Sequence, residues 1–186
     1  MKRILCIGDS NTWGYDPRSY IGERYPEGVY WTDRLPGWLA SNAGINGSTV
    51  PDDWDYAETD LWLRAGPYDV ITVMLGTNDL LLGWQPAEIA DKMEPYLRHI
   101  QAKAGTAALL LLAPPPSRHG SQARIETLLT KTRQLCSLYA SLAAKLQILF
   151  ADAGQWSVEL AFDGVHFTPE GHAAFAKGLA KVLATL

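Results

Sequence analysis

Lys2-Arg3-Ile4-Leu5-Cys6-Ile7-Gly8-Asp9-Ser10-Asn11 opens the chain and sets how the rest of it is read. Two basic residues give way to four apolar ones, and the run stops at a glycine followed by three short polar side chains. A continuous apolar run suits a parallel strand covered on both faces. The polar cluster that follows it then lies at the carboxyl end of that strand, where open α/β sheets bind their ligands.

Working outward, the same pattern recurs. Val70 to Leu75, Ala107 to Leu112 and Gln147 to Ala151 are further strand candidates, and Trp38 to Ser41, after the Pro36-Gly37 break, is a weaker one. Helical periodicity fills the intervals. Pro86 to Lys103 reads as a helix with proline in its first turn, and Pro95 is expected to kink or split it. Gln122 to Lys145 carries Ile125, Leu128, Leu129, Leu135, Tyr139 and Leu142 at helical spacing, with Leu146 next in register. A last helix starts near Thr168-Pro169 and carries Phe175, Leu179, Val182 and Leu186. Alternating strands and helices predict a three-layer α/β/α sandwich with about five parallel strands, organised as one domain over 1–186.

Each strand candidate leads into an unusual cluster. Gly8-Asp9-Ser10-Asn11 follows the first strand, Asn42-Ala43-Gly44 the second, Gly76-Thr77-Asn78-Asp79 the third and Pro114-Pro115-Pro116 the fourth, and Asp163-Gly164-Val165-His166 lies in the loop after the fifth. All five are expected at one end of the sheet.

A serine hydroxyl becomes a useful nucleophile when a histidine takes its proton and a carboxylate orients that histidine. Of the four histidines, His166 has an aspartate, Asp163, three residues before it in a glycine-containing loop. Ser10, His166 and Asp163 are therefore the candidate nucleophile, base and orienting acid. The plainer readings are a helix cap for Ser10 and a turn for Asp163-Gly164. Acyl transfer also needs donors for a developing oxyanion. The Ser10 amide, the Gly44 amide and the Asn78 side chain are the candidates. The glycine-x-serine-x-glycine elbow of α/β-hydrolases is absent around Ser10.

Four blocks in order resemble the SGNH, or GDSL-type, esterase superfamily: Gly8-Asp9-Ser10, Asn42 to Thr49, Gly76-Thr77-Asn78-Asp79, and Asp163-Gly164-Val165-His166-Phe167-Thr168. Asn11 stands where the family name has leucine. The resemblance implies a flavodoxin-like sandwich with Ser10, Gly44, Asn78 and His166 as signature residues, together with Asp163. The opening through Thr12-Trp13-Gly14, with Tyr30-Trp31-Thr32 and the triple proline, is most similar to bacterial arylesterases and acyltransferases, from which this chain departs by a shorter segment after Pro116. It implies hydrolysis of small, short-chain acyl esters through an acyl-serine intermediate, without a cofactor. Carbohydrate acetylesterase, thioesterase and lysophospholipase activities are the alternatives within the superfamily.

The remaining residues set expectations of a smaller kind. Asp9, Asn11, Trp13, Pro114 and Val165 are candidates for the substrate pocket. His99 and His172 are expected to pack or face solvent, His119 to be solvated, and at least one of Trp54, Trp62 and Trp84 to be core. Cys6 and Cys136 read as small buried apolar residues. A net charge of −4 gives no basic footprint for nucleic acid. No histidine–acid cluster has metal-ligand spacing, no stretch approaches a membrane span, and cytoplasmic is the default location. A homo-oligomer is allowed. The rival from another class is a non-catalytic flavodoxin-like domain binding a flavin phosphate at the first loop, where Asp9 would oppose the anion.

Overall fold

The computed structural model describes residues 1–186 apart from 20, 53–54 and 119–124, with the side chains of 125–127 also left aside. Trp54, His119 and the start expected for the helix at Gln122 lie outside the described residues. Among the described residues five parallel strands form one sheet: β1 (Lys2–Gly8), β2 (Trp38–Gly44), β3 (Val70–Met74), β4 (Ala108–Ala113) and β5 (Leu149–Asp152). Their spatial order is β2-β1-β3-β4-β5. This is the flavodoxin-like order, in which the chain winds away from β1 in both directions and leaves a crevice at the carboxyl ends of β1 and β3.

Side chains alternate along each central strand, and so divide between two cores. Leu5, Ile7, Ile71, Val73, Leu109 and Leu111 face the helices α4 (Pro86–Lys103) and α5 (Ile125–Leu146). Ile4, Cys6, Val70, Met74, Leu110 and Leu112 face α6 (Pro169–Leu183) and the 3-10 turn Trp31–Arg34. A shorter helix, α2 (Ala57–Arg64), adds Trp62 and Leu63 to the first core. Two four- and five-residue helices, α1 (Ser10–Trp13) and α3 (Thr77–Leu81), sit at the crevice.

Several expectations shift. β2 runs on to Gly44 because it pairs with β1 along its whole length, Lys2 opposite Trp38 through Gly8 opposite Gly44, so Asn42 to Gly44 end the strand and do not follow it. β5 begins at Leu149 because Gln147 takes a left-handed conformation (φ 56°) as the chain leaves α5. Pro95 does not split α4, which is one helix of 18 residues. Pro95 and Asp91, whose carbonyl loses its partner, are both exposed, while Met93, Tyr96 and Leu97 beside them are buried and hold the helix on the sheet. In α6, Leu183 is the buried terminal residue, while Leu186 lies past the helix end and is exposed. Cys6 is buried but Cys136 only partly so. Trp62 packs against the core, and Trp84 is on the surface under the Lys92 ammonium.

Candidate active site

The nucleophile loop is built by two close backbone approaches. A side chain on Gly8 would meet Thr12 Oγ1 at 2.1 Å, and one on Gly44 would meet the Trp13 backbone nitrogen at 2.1 Å. Two paired glycines on adjacent strands thus let α1 fold down over the sheet edge. Asp9 is the N-cap of α1, its Oδ1 accepting from the Asn11 N–H at 2.9 Å, and Ser10 is the first helical residue. Asp9 is buried, and burial pushes its carboxyl up to about 6 against the Asn11 bond and the nearby His166.

Ser10, His166 and Asp163 come together here from loops 156 residues apart. Ser10 Oγ lies 3.0 Å from His166 Nε2, and His166 Nδ1 lies 2.6 Å from Asp163 Oδ2. All three side chains are nearly buried. Asp163 Oδ1 also accepts from the backbone N–H groups of Val165 and His166, at 2.9 and 3.0 Å. Burial alone would raise the Asp163 carboxyl, but the His166 ring and these two N–H groups hold it below the usual carboxylate range. The carboxylate can only accept, so Nδ1 is the donor in the bond to Asp163, and Nε2 is the ring nitrogen that faces the Ser10 hydroxyl.

The third strand supplies the opposite wall. The Asn78 side-chain amide donates one N–H to Ser48 O at 2.8 Å, and the next residue, Asp79, accepts from the Val50 N–H at 3.1 Å. Consecutive residues of α3 therefore grip the loop after β2 and fix it across the crevice. The amide of Asn78 keeps a second N–H. Among the described residues the Ser10 backbone N–H also donates to nothing.

Gly44 is different from the sequence expectation. Its N–H is already used, donating to Asn42 Oδ1 at 2.9 Å, and its missing side chain makes room for α1. The glycine with an open face is Gly47, in the gripped loop, with φ 76°, nothing within 4 Å of where a side chain would begin, and an N–H that donates to no described residue. Its sequence signal was the second glycine of Asn42-Ala43-Gly44-Ile45-Asn46-Gly47, which stands next to the residue that Asn78 holds.

Of the pocket candidates, Asp9, Asn11, Val165 and Pro114 are buried and Trp13 is half-buried, with the Arg24 guanidinium over its ring and donating to its carbonyl. Tyr15, which sequence reasoning passed over, packs its ring on the His166 imidazole at 4.5 Å between centroids. His99 pairs with Asp60 at 2.7 Å, and His172 is wholly buried, accepting from the Trp31 N–H. A cavity of about 350 Å³ adjoins the gripped loop, between Gly8, Gly47 and Ser48 on one side and Trp62 and Tyr96 on the other. Among the described residues no group of three or more His, Cys, Asp or Glu side chains could hold a metal ion, and no helix is long and apolar enough to cross a membrane.

A sheet of five parallel strands in this order, packed between helices, is the α/β fold of the GDSL/SGNH hydrolase structures it matches. The chain belongs to the GDSL-like lipase/acylhydrolase family, whose model matches residues 6–174, and it is an esterase-type hydrolase. Among solved structures it is similar to the native aryl esterase of M. smegmatis, with 28% identity, a TM-score of 0.85 and full coverage of both chains. It is also similar to Est24, a carbohydrate acetylesterase from Sinorhizobium meliloti, with 26% identity, a TM-score of 0.85, and 100% and 99% of the two chains covered. A putative arylesterase from Agrobacterium tumefaciens matches at 30% identity and a TM-score of 0.82, again over 100% and 99% of the chains. A search of the curated proteins finds no match to the chain.

Proposed function

We propose that the protein hydrolyses small, short-chain carboxylic esters through an acyl-serine intermediate. The observation that carries this reading is the run of two short contacts, 3.0 Å from Ser10 Oγ to His166 Nε2 and 2.6 Å from His166 Nδ1 to Asp163 Oδ2. As Ser10 Oγ attacks the ester carbonyl, its proton passes to His166 Nε2. The imidazolium is held by Asp163, and then protonates the departing alcohol oxygen. Water attacks the acyl-serine with His166 again as base, and Ser10 recovers its proton. The Ser10 N–H, the second N–H of Asn78 and the Gly47 N–H are the donors for the oxyanion of each tetrahedral intermediate. Donors fixed before the reaction favour the transition state over the ground state.

A small ester substrate is supported by relatives described as aryl esterases and a carbohydrate acetylesterase. The test is a panel of aryl, alkyl and sugar esters of increasing acyl length, with Ser10→Ala as the blank, and acid quench followed by mass analysis of the peptide containing Ser10. The expected result is highest kcat/KM for acetyl esters and an acyl group on Ser10. Turnover that survives in Ser10→Ala, or an acyl group elsewhere, would refute the mechanism.

A further inference from the structure

We infer that Asn11 is a positioning residue for the acid–base loop: its carboxamide clips the two residues flanking His166 to the residue next to Ser10. The Asn11 side-chain amide donates to Val165 O at 3.1 Å, and its Oδ1 accepts from the Phe167 N–H at 2.9 Å. Donor and acceptor requirements at the two ends fix which way the amide points, since Val165 offers a carbonyl and Phe167 an N–H. The backbone of Asn11 is engaged as well, its N–H with Asp9 and its carbonyl with Trp31 Nε1 at 3.0 Å. Every polar atom of this buried residue therefore has a partner.

The clip matters because of where its ends lie. Asn11 follows Ser10, and Val165 and Phe167 bracket His166. Among the described residues these two bonds are, besides Ser10–His166 itself, the hydrogen bonds that join α1 to this loop. Asp163 shapes the loop internally through Val165 and His166, and Tyr25 holds Phe167 O at 3.2 Å from another segment, but neither bond reaches α1. The distance and angle between Nε2 and Oγ are thus set through Asn11. A leucine at this position, as in the family name, fills space but offers neither bond.

The inference rests on the proposed roles of Ser10 and His166. Its test compares Asn11→Leu and Asn11→Asp with the native enzyme, and carries Ser10→Ala alongside. Loss of the clip lets Nε2 wander by a fraction of an ångström to an ångström, so Asn11→Leu should lower kcat by about 10–10²-fold with KM changed much less. Phosphonylation of Ser10 by a fluorophosphonate should slow in parallel, below the melting temperature. Asn11→Asp keeps the acceptor for Phe167. Protonated, the introduced carboxyl can also donate to Val165 O; ionised, it sets a charge against that carbonyl, beside Asp9, Asp163 and His166. Its kcat relative to the native enzyme should therefore rise as pH is lowered. If Asn11→Leu lowers only the melting temperature and keeps full kcat and phosphonylation rate, the inference fails. Should that variant not fold, the Asn11→Asp ratio decides, and a ratio independent of pH overturns the inference. If Ser10→Ala itself keeps turnover, the active-site reading has failed, and not the clip alone.

Discussion

Asp9 is a buried carboxyl at the N-cap of α1, and Asp9→Asn isolates what its charge costs the fold. Its carboxyl titrates at about 6 in the folded protein, against 3.8 for the free side chain, chiefly because burial strips the carboxylate of water. A carboxyl with its folded pKa above its unfolded one binds more protons folded than unfolded across that interval. Its contribution to stability is therefore fullest below pH 3.8, declines as pH rises to about 6, and is constant beyond. A separation of about 2 in pKa, at about 1.4 kcal/mol for each, makes the change about 3 kcal/mol. Asparagine keeps an oxygen for the Asn11 N–H but has no charge to lose. Whatever fixed gain or loss the new amide brings is the same at every pH and cancels in the comparison. Urea unfolding of both proteins, followed by circular dichroism at about pH 4 and about pH 8, should show Asp9→Asn gaining about 2.5 kcal/mol on the native protein over that span, most of the full change. At constant m-value this appears as a relative shift of the midpoint. Equal stability differences at the two pH values would refute the argument that Asp9 is charged and desolvated at neutral pH.

Asn78→Ala should lower kcat by about 10²–10³-fold with KM little changed, since it removes a donor that matters most as charge develops. Steady-state kinetics on an aryl acetate check this, and full turnover with a lowered melting temperature would make Asn78 only the tie to Ser48. Gly44→Ala should destabilise the protein by about 1–3 kcal/mol or more in thermal unfolding, because the new methyl meets backbone of α1 and no flexible side chain can yield. His172 is wholly buried, and burial lowers its pKa from 6.5 to about 3, so it stays neutral in the fold. A base with a depressed folded pKa gives stability that is present above pH 6.5 and lost as pH falls toward 3. His172→Gln should flatten the acid limb of the stability curve by up to about 5 kcal/mol over that window, and an unchanged limb would mean His172 is not the titrating group.

Much of this was legible in sequence because the physics is local. The four buried residues Ile4 to Ile7, ended by Gly8, specify a central strand, and the same logic located β3 and β4. The Ser10, Asn78 and Asp163–His166 clusters followed from being the residues after strands, and the sheet order brings them together. What was not legible depends on partners distant in sequence. β2, an edge strand most of whose own residues are half-exposed, is extended by pairing with β1. Gly44 looked like an oxyanion donor by type, but only the fold shows its N–H taken by Asn42 and its Cα against Trp13. Asn11 looked like pocket lining because it follows Ser10. Its bonds to Val165 and Phe167 span 154 and 156 residues and leave no local mark. Tyr15 lies on His166 for the same reason of tertiary approach.

The central claim is that Ser10 and His166 act as one unit, and kcat for Ser10→Ala, His166→Ala and the double variant tests it most directly. The account predicts that each single change removes nearly all turnover, by about 10⁴-fold or more, and that the double variant is scarcely worse than either. Losses that multiply in the double variant, or a His166→Ala enzyme that keeps native turnover, would contradict it.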